Sequence, residues 1–203
     1  MNGALYFYHQ NEEHCHMSNF YMSRFSDEQG VAFLCTEQYL MKKKQELFDP
    51  ENERLAENIM NSRYPQNIKE FGRQVNNFSE EVWRENRTDI MEAGLRMKYM
   101  QNDDIGELLL NTGSCPLYEA AANDRIWGIG FNKHTLMTSI PPIAVEAYGL
   151  NLLGEALQKI RAELKRDQMT GGRPIEECAS KESGGDHTAS EVNPAGDELG
   201  EEE

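Results

Sequence analysis

The rhythm of apolar and polar positions changes at residue 36. Before it, runs rich in aromatic and branched side chains alternate with polar segments: Leu5 to Tyr8, the stretch around Phe20 and Tyr21, and Val31 to Cys35. These predict short strands and loops forming a small N-terminal sheet. From Thr36, a helix-capping residue type, the pattern turns helical to about Leu47. Asp49-Pro50-Glu51 then supplies a cap, a proline for the first helical position and a first-turn acid, so a second helix is predicted to about Ser62. Pro65 opens a short helix ending near Gly72, Ser79 caps a longer one reaching about Gln101, and Asp103 caps another to Leu110.

Beyond Thr112-Gly113 the pattern is irregular. It holds a strand-like Leu117-Tyr118, the run Asp124-Arg-Ile-Trp-Gly-Ile-Gly130, and a long loop with Pro141-Pro142, of a kind that is usually functional or mobile. Between Asn151 and Asp167, Leu152, Leu153, Ala156, Leu157, Ile160 and Leu164 recur at helical spacing and predict a core-facing helix. There is no internal repeat and no strand-helix alternation. The expected class is therefore α+β, predominantly helical, with a small N-terminal sheet.

Charge divides the 203 residues in two. The net charge is -15, from 35 acidic and 20 basic residues. From Gly171 onward ten acidic residues face two basic ones, so that stretch carries -8 and residues 1–170 carry -7. Residues 171–203 have almost no large apolar side chains to offset ordering entropy and are expected to be a disordered acidic tail; residues 1–170 suffice for one domain with a core. A body of net charge -7 has no general cation surplus, so strong non-specific DNA binding is not expected. No apolar run approaches membrane-spanning length, and the N-terminus lacks an export signal. Cys15, Cys35, Cys115 and Cys178 show no paired spacing, which points to reduced thiols. An intracellular protein, cytoplasmic or nuclear, monomeric and without membrane partners, is the expectation.

Several constellations carry chemistry. In Thr36-Glu37-Gln38-Tyr39-Leu40-Met41-Lys42-Lys43-Lys44, Glu37 and Lys44 stand seven apart, on one side of a helix with Met41 between. An acid and an amine can thus face one pocket, although a solvated lysine-rich face has the same spacing. Asp124 and Trp127, followed by Gly128-Ile129-Gly130, can set a carboxylate beside a stacking surface with close backbone approach; a tight loop against a core tryptophan fits equally. Lys69, Arg73, Arg84 and Arg87 suit a pyrophosphate patch or an ordinary helix surface. Trp83 suits a core or a stacking platform. His9, His14, Cys15 and His16 include metal-ligand types but lack a second pair at zinc spacing, so no metal is expected.

The order of the pieces says more than any one of them. Ser18-Asn19-Phe20, Thr36-Glu37-Gln38-Tyr39 with Lys44, Lys69-x-x-Gly72-Arg73, Trp83, Lys98, Thr112-Gly113, Leu117-Tyr-Glu119-Ala, Asp124-Arg-Ile-Trp-Gly-Ile-Gly130 and Asn151-Leu-Leu-Gly154 together resemble the NADAR, or YbiA-like, family over most of residues 5–165. Two positions depart from the family pattern: Gln38 where it often has His, and Tyr118 where it often has Val. The resemblance implies a largely helical fold and an N-glycosidase needing neither metal nor nicotinamide cofactor. It maps the catalytic set onto Lys44, Glu37 and Asp124. Substrate binding is expected from Ser18, Asn19, Phe20, Gln38, Lys69, Gly72, Arg73, Trp83, Trp127, Gly128, Ile129, Gly130, Asn151 and Gly154.

The substrate this implies is ADP-ribose joined to the amino group of guanine, in nucleic acid or nucleotide. Phosphorylated intermediates of riboflavin synthesis are an alternative, as is an ADP-ribose or NAD sensor without catalysis. For the first substrate, ribose ring opening gives an imine that Lys44 can attack, yielding a Schiff base that water hydrolyses. Glu37 and Asp124 would move protons. A closed-ring route through an oxocarbenium ion is the competing expectation.

Overall fold

The computed structural model describes residues 3–8 and 12–170. Among them are seven α-helices and four short strands. The helices are α1 (Thr36–Phe48), α2 (Glu53–Asn61), α3 (Pro65–Gly72), α4 (Glu80–Met100), α5 (Asp103–Leu110), α6 (Lys133–Thr138) and α7 (Leu152–Met169). The strands are β1 (Leu5–Phe7), β2 (Phe25–Ser26), β3 (Ala32–Phe33) and β4 (Leu117–Glu119).

Local signals place most boundaries. Ser79 caps α4 by accepting from the Val82 amide at 3.4 Å, and Pro65 opens α3. Helix α2 begins later than Asp49-Pro50 suggests. Asp49 ends α1 and its carboxylate accepts from Asn52 and Asn76 at 2.9 Å each, while Asn52 caps α2 through Leu55. Among the described residues no single N-terminal sheet forms. β1 pairs in parallel with β4, more than a hundred residues on, and β2 pairs antiparallel with β3; Phe20 and Tyr21 lie in a turn. The long loop contains the short α6 and one 3-10 turn. No described helix is long and apolar enough to cross a membrane.

Helix α1 packs on α2, α3 and α4, and α4 and α5 pack on α7, which covers β4. The core between them holds Phe7, Leu40, Met91, Leu95, Leu109, Leu117, Leu153, Leu157 and Ile160, whose burial is the main favourable contribution to folding. A smaller cluster of Phe25, Phe33 and Tyr39 seats the β2–β3 hairpin on α1. At the seam of α7 and β4, Asn151 adopts a left-handed conformation, φ 52°. Its side-chain amide acts as a neighbouring strand would: Oδ1 accepts from the Glu119 amide at 3.0 Å and Nδ2 donates to the Leu117 carbonyl at 2.9 Å. Gly154 permits that approach, since a Cβ there would overlap the Leu117 carbonyl and the Asn151 side chain.

Candidate active site

Three segments distant in sequence enclose a cavity of about 720 Å³, within the range of about 300–1,000 Å³ usual for small-molecule sites. The first segment is the turn at Ser18-Asn19-Phe20. It is fixed from behind by α4: Lys98 donates to the carbonyls of His16 (2.6 Å) and Ser18 (3.1 Å), and the Tyr99 hydroxyl donates to His16 (2.9 Å). The Ser18 hydroxyl accepts from the Phe20 amide at 3.2 Å. The second segment comprises the start of α1 and the outer face of α3, which bring Glu37 and Lys69. The Glu37 amide donates to the Asn19 carbonyl at 3.0 Å, joining the two segments. The third is β4 and the loop after it, which bring Glu119, Ala121, Asp124 and Trp127. Tyr8, Glu12 and Gln66 complete the lining.

The third segment is braced by its own hydrogen bonds. Asp124 Oδ1 accepts from the amides of Ile126 and Trp127, each at 2.8 Å, which orients the carboxylate. The loop from Arg125 to Gly130 is laced to residues 149–153: five amides of that segment donate to carbonyls of 125–129. Gly128 is required because a Cβ would press on the Glu119 carbonyl and Ala121, and Gly130 because its φ is +78°.

Electrostatics set the protonation states. Burial pushes Glu37 up to about 7, against the pull of Lys69 and with the negative charge of Asp124 adding to the rise. Burial likewise pushes Glu119 up to about 8, with Asp124 again adding. Carboxyl groups held near neutrality are the form that proton transfer requires. Lys69 lies 5.8 Å from the centre of the Phe20 ring and supplies the largest opposing charge at Glu37.

Of the residues expected from sequence, Ser18, Asn19, Phe20, Glu37, Lys69, Asp124 and Trp127 line the cavity. The others stand elsewhere. Lys44 is behind the wall, its amine 2.9 Å from the Gly72 carbonyl and facing the rings of Phe78 (4.4 Å) and Trp83 (5.8 Å). Burial lowers its proton affinity, and Glu37 is the first charge opposing that shift. Trp83 is a core residue packed on Phe48. Gln38 is fully engaged in structure: it accepts from the Leu34 amide at 2.8 Å and donates to the carbonyls of Ile59 and Met60 at 3.0 Å each, tying α1 to the end of α2. Gly72 packs against Met41, and Arg73 is exposed and paired with Glu70. Gly128, Ile129, Gly130, Asn151 and Gly154 shape the backbone behind Glu119 and Asp124.

Glu119 was legible only as part of a motif; nothing in its spacing marks it as a site residue. Among the described residues no three His, Cys, Asp or Glu side chains cluster as metal donors, and His16 is buried against Tyr99. His9 and the acidic stretch from residue 171 lie outside the described residues.

The NADAR domain model matches residues 6–165. The chain belongs to the NADAR domain family. It is 37% identical over 136 residues to "N-glycosidase R617" of Acanthamoeba polyphaga mimivirus, covering 67% of this chain and 77% of that protein. It is 27% identical over 165 residues to "Riboflavin biosynthesis protein VVA0006" of Vibrio vulnificus (strain YJ016), covering 81% of this chain and 40% of that one. The NMR structure of E. coli YbiA superposes with a TM-score of 0.67 at 23% identity, over 86% of this chain and 92% of that one, and shares its fold. This NADAR domain is thus an α+β, mostly helical fold with its cavity at the junction of α1, α3 and β4.

Proposed function

We propose that this NADAR domain is an N-glycosidase that hydrolyses the bond between ADP-ribose and the amino group of guanine. The observation that carries the reading is the set of side chains that this cavity brings together. The cavity sets Glu37, held near neutral pKa, beside Lys69 and Asp124, with Phe20 and Trp127 as flat walls for a base. The names of relatives such as the mimivirus N-glycosidase support the bond type. An acid-rich chamber opposes phosphate but stabilises positive charge developing at the sugar C1. The anomeric carbon and guanine amine therefore enter it, and the pyrophosphate stays toward its mouth, within the field of Lys69 and Arg73.

Glu37 accepts the proton released as the nucleophile adds, and Asp124 faces the developing cation. We assign the Schiff base to Lys44, because burial lowers the proton affinity of its amine, the direction that imine chemistry needs. To react, the amine exchanges the Gly72 carbonyl for the cavity by rotation of its flexible stem. Lys69 is the largest of the positive charges that oppose the rise of Glu37, ahead of Lys44 and Arg73.

The test is release of ADP-ribose from an ADP-ribosylated guanosine oligonucleotide, followed by mass spectrometry, with Glu37→Gln, Lys44→Ala and Asp124→Ala beside it. Release abolished by the substitutions supports the reading. A folded protein that releases nothing from this substrate, but cleaves a phosphorylated riboflavin-pathway N-glycoside, would overturn the guanine assignment and retain the bond type. Binding of ADP-ribose without cleavage of either would make it a sensor. Borohydride reduction during turnover should leave an adduct on Lys44; an adduct on Lys69, or none, would refute the Schiff-base assignment.

A further inference from the structure

The strand register determines where Glu119 points. In β4, Leu117 and Glu119 are two apart and so face the same side. Leu117 is fully buried in the core, and β1 sets Phe7, also fully buried, opposite Glu119. Tyr118, between them, turns to the other face and stacks on Tyr6 at 5.5 Å. A carboxyl group is therefore carried inward at a position where an apolar residue would be ordinary.

Its backbone is held on both sides. The amide donates to Asn151 Oδ1 at 3.0 Å, and the carbonyl accepts from Ala121 and Ile129 at 2.9 Å each. The side chain has no such support: Oε2 is buried with no hydrogen-bond partner, yet the residue lines the cavity that holds Glu37, Lys69 and Asp124. A buried carboxyl group without a partner is costly unless it stays neutral or finds one in a ligand.

We propose that Glu119 is a catalytic residue of this chamber, the neutral acid that gives its proton to the departing amine as the C1–N bond breaks. The inference rests on the N-glycosidase reading and deepens it. The bonding electrons leave with nitrogen, the Glu119 proton converts it to the free amine, and C1 bonds to the incoming nucleophile. Glu37 takes the proton which that nucleophile loses, so one carboxyl group gains a proton as the other gives one up. Water then completes the hydrolysis and solvent restores both groups. Asn151 and Gly154 act through Glu119 as positioning residues.

The groups facing Glu119 fix the pH dependence. Asp124 from the following loop and Glu37 from α1 oppose its ionisation, and Lys69 from α3 favours it. Glu12 and Tyr8 line the same cavity; on the other face of the β1–β4 pair Tyr6 meets Tyr118, on which Glu155 of α7 also acts. With Glu119 at about 8, turnover by an acid in this role falls as pH rises through that value.

The experiment compares the full chain with Glu119→Gln, a neutral isostere that cannot give a proton, and with Glu119→Asp. In Glu119→Gln we expect kcat down about 100-fold or more with KM within about threefold. The Tm at pH 6 should be unchanged and the alkaline limb of the pH profile lost; Glu119→Asp should recover part of kcat and the limb. A Glu119→Gln enzyme that keeps a third of kcat, or keeps the limb, overturns the proposal. If the unsubstituted protein turns over no N-glycoside, the functional reading has failed, and carbon-13 NMR of the glutamate carboxyl groups reports on Glu119 separately. Its resonance, identified by its loss in Glu119→Gln, should move when ADP-ribose is added; an unmoved resonance overturns the catalytic contact.

Discussion

Replacing Glu37 by Gln tests the chamber through stability as well as activity. The side chain is 5% exposed, and burial raises it from 4.5 to about 7. A folded-state value above the unfolded one means that the protonated group's stabilisation is complete below pH 4.5 and is lost as pH rises through about 7. At about 1.4 kcal/mol per tenfold change in proton affinity, the loss is about 3 kcal/mol once both states are ionised. Gln keeps the shape of the protonated acid and cannot ionise. At pH 5 the two proteins should therefore unfold in urea within about 1 kcal/mol of each other. At pH 9 Glu37→Gln should be the more stable by about 3 kcal/mol, while showing no turnover at either pH. Glu119 titrates in both proteins, so the difference isolates Glu37 and its coupling to neighbours. A stability difference that does not vary between pH 5 and 9 would refute the claim that burial holds this acid near neutrality.

Three further outcomes follow from the same contacts. In a Lys69→Met background the largest charge opposing the rise of Glu37 is gone, so the pH at which the stability gain from Glu37→Gln levels off moves alkaline in paired urea titrations; no movement would place Lys69 outside the chamber's electrostatics. Gly154→Ala sets a helix-propensity gain of about 1 kcal/mol against overpacking of about 1–3 kcal/mol on the Leu117 carbonyl, so Tm should fall and kcat with it, because Asn151 and Glu119 move together; a raised Tm would deny the close approach. Lys98 is fully buried and lowered to about 7 by burial, a shift whose stabilisation is present above the unfolded value of 10.5 and lost as pH falls through 7. The His16 and Ser18 carbonyls keep Tyr99 and the Tyr21 amide as donors without it, so Lys98→Met should gain about 2–3 kcal/mol on the unsubstituted protein between pH 9 and pH 5 in urea unfolding; a constant difference would deny that burial depresses this amine.

Much of the site was visible as residue types in order, yet only part of it as a site. Glu37, Asp124, Phe20 and Trp127 were identifiable because their motifs persist as local segments. Lys44 stands on the same helix as Glu37 and Trp83 in the same ordered set, and their side chains meet Gly72 and Phe48; helical spacing alone does not give those neighbours. Gln38 entered the expected site through the family resemblance alone; the end of α2, which takes its amide, is more than twenty residues away. Glu119 was hidden for the opposite reason, since a glutamate in a three-residue strand reads as a solvent-facing position until the pairing partner is known.

Elements with local causes were already set in the chain: the long helices by their apolar period, the helix starts at Ser79 and Pro65, and the turn glycines. The pairing of β1 with β4 arises only on assembly, because it joins segments more than a hundred residues apart. So does the meeting of the acids. The raised proton affinity of Glu37 and Glu119 comes from their burial in the assembled molecule, and desolvation is a property of the tertiary structure that no single segment carries.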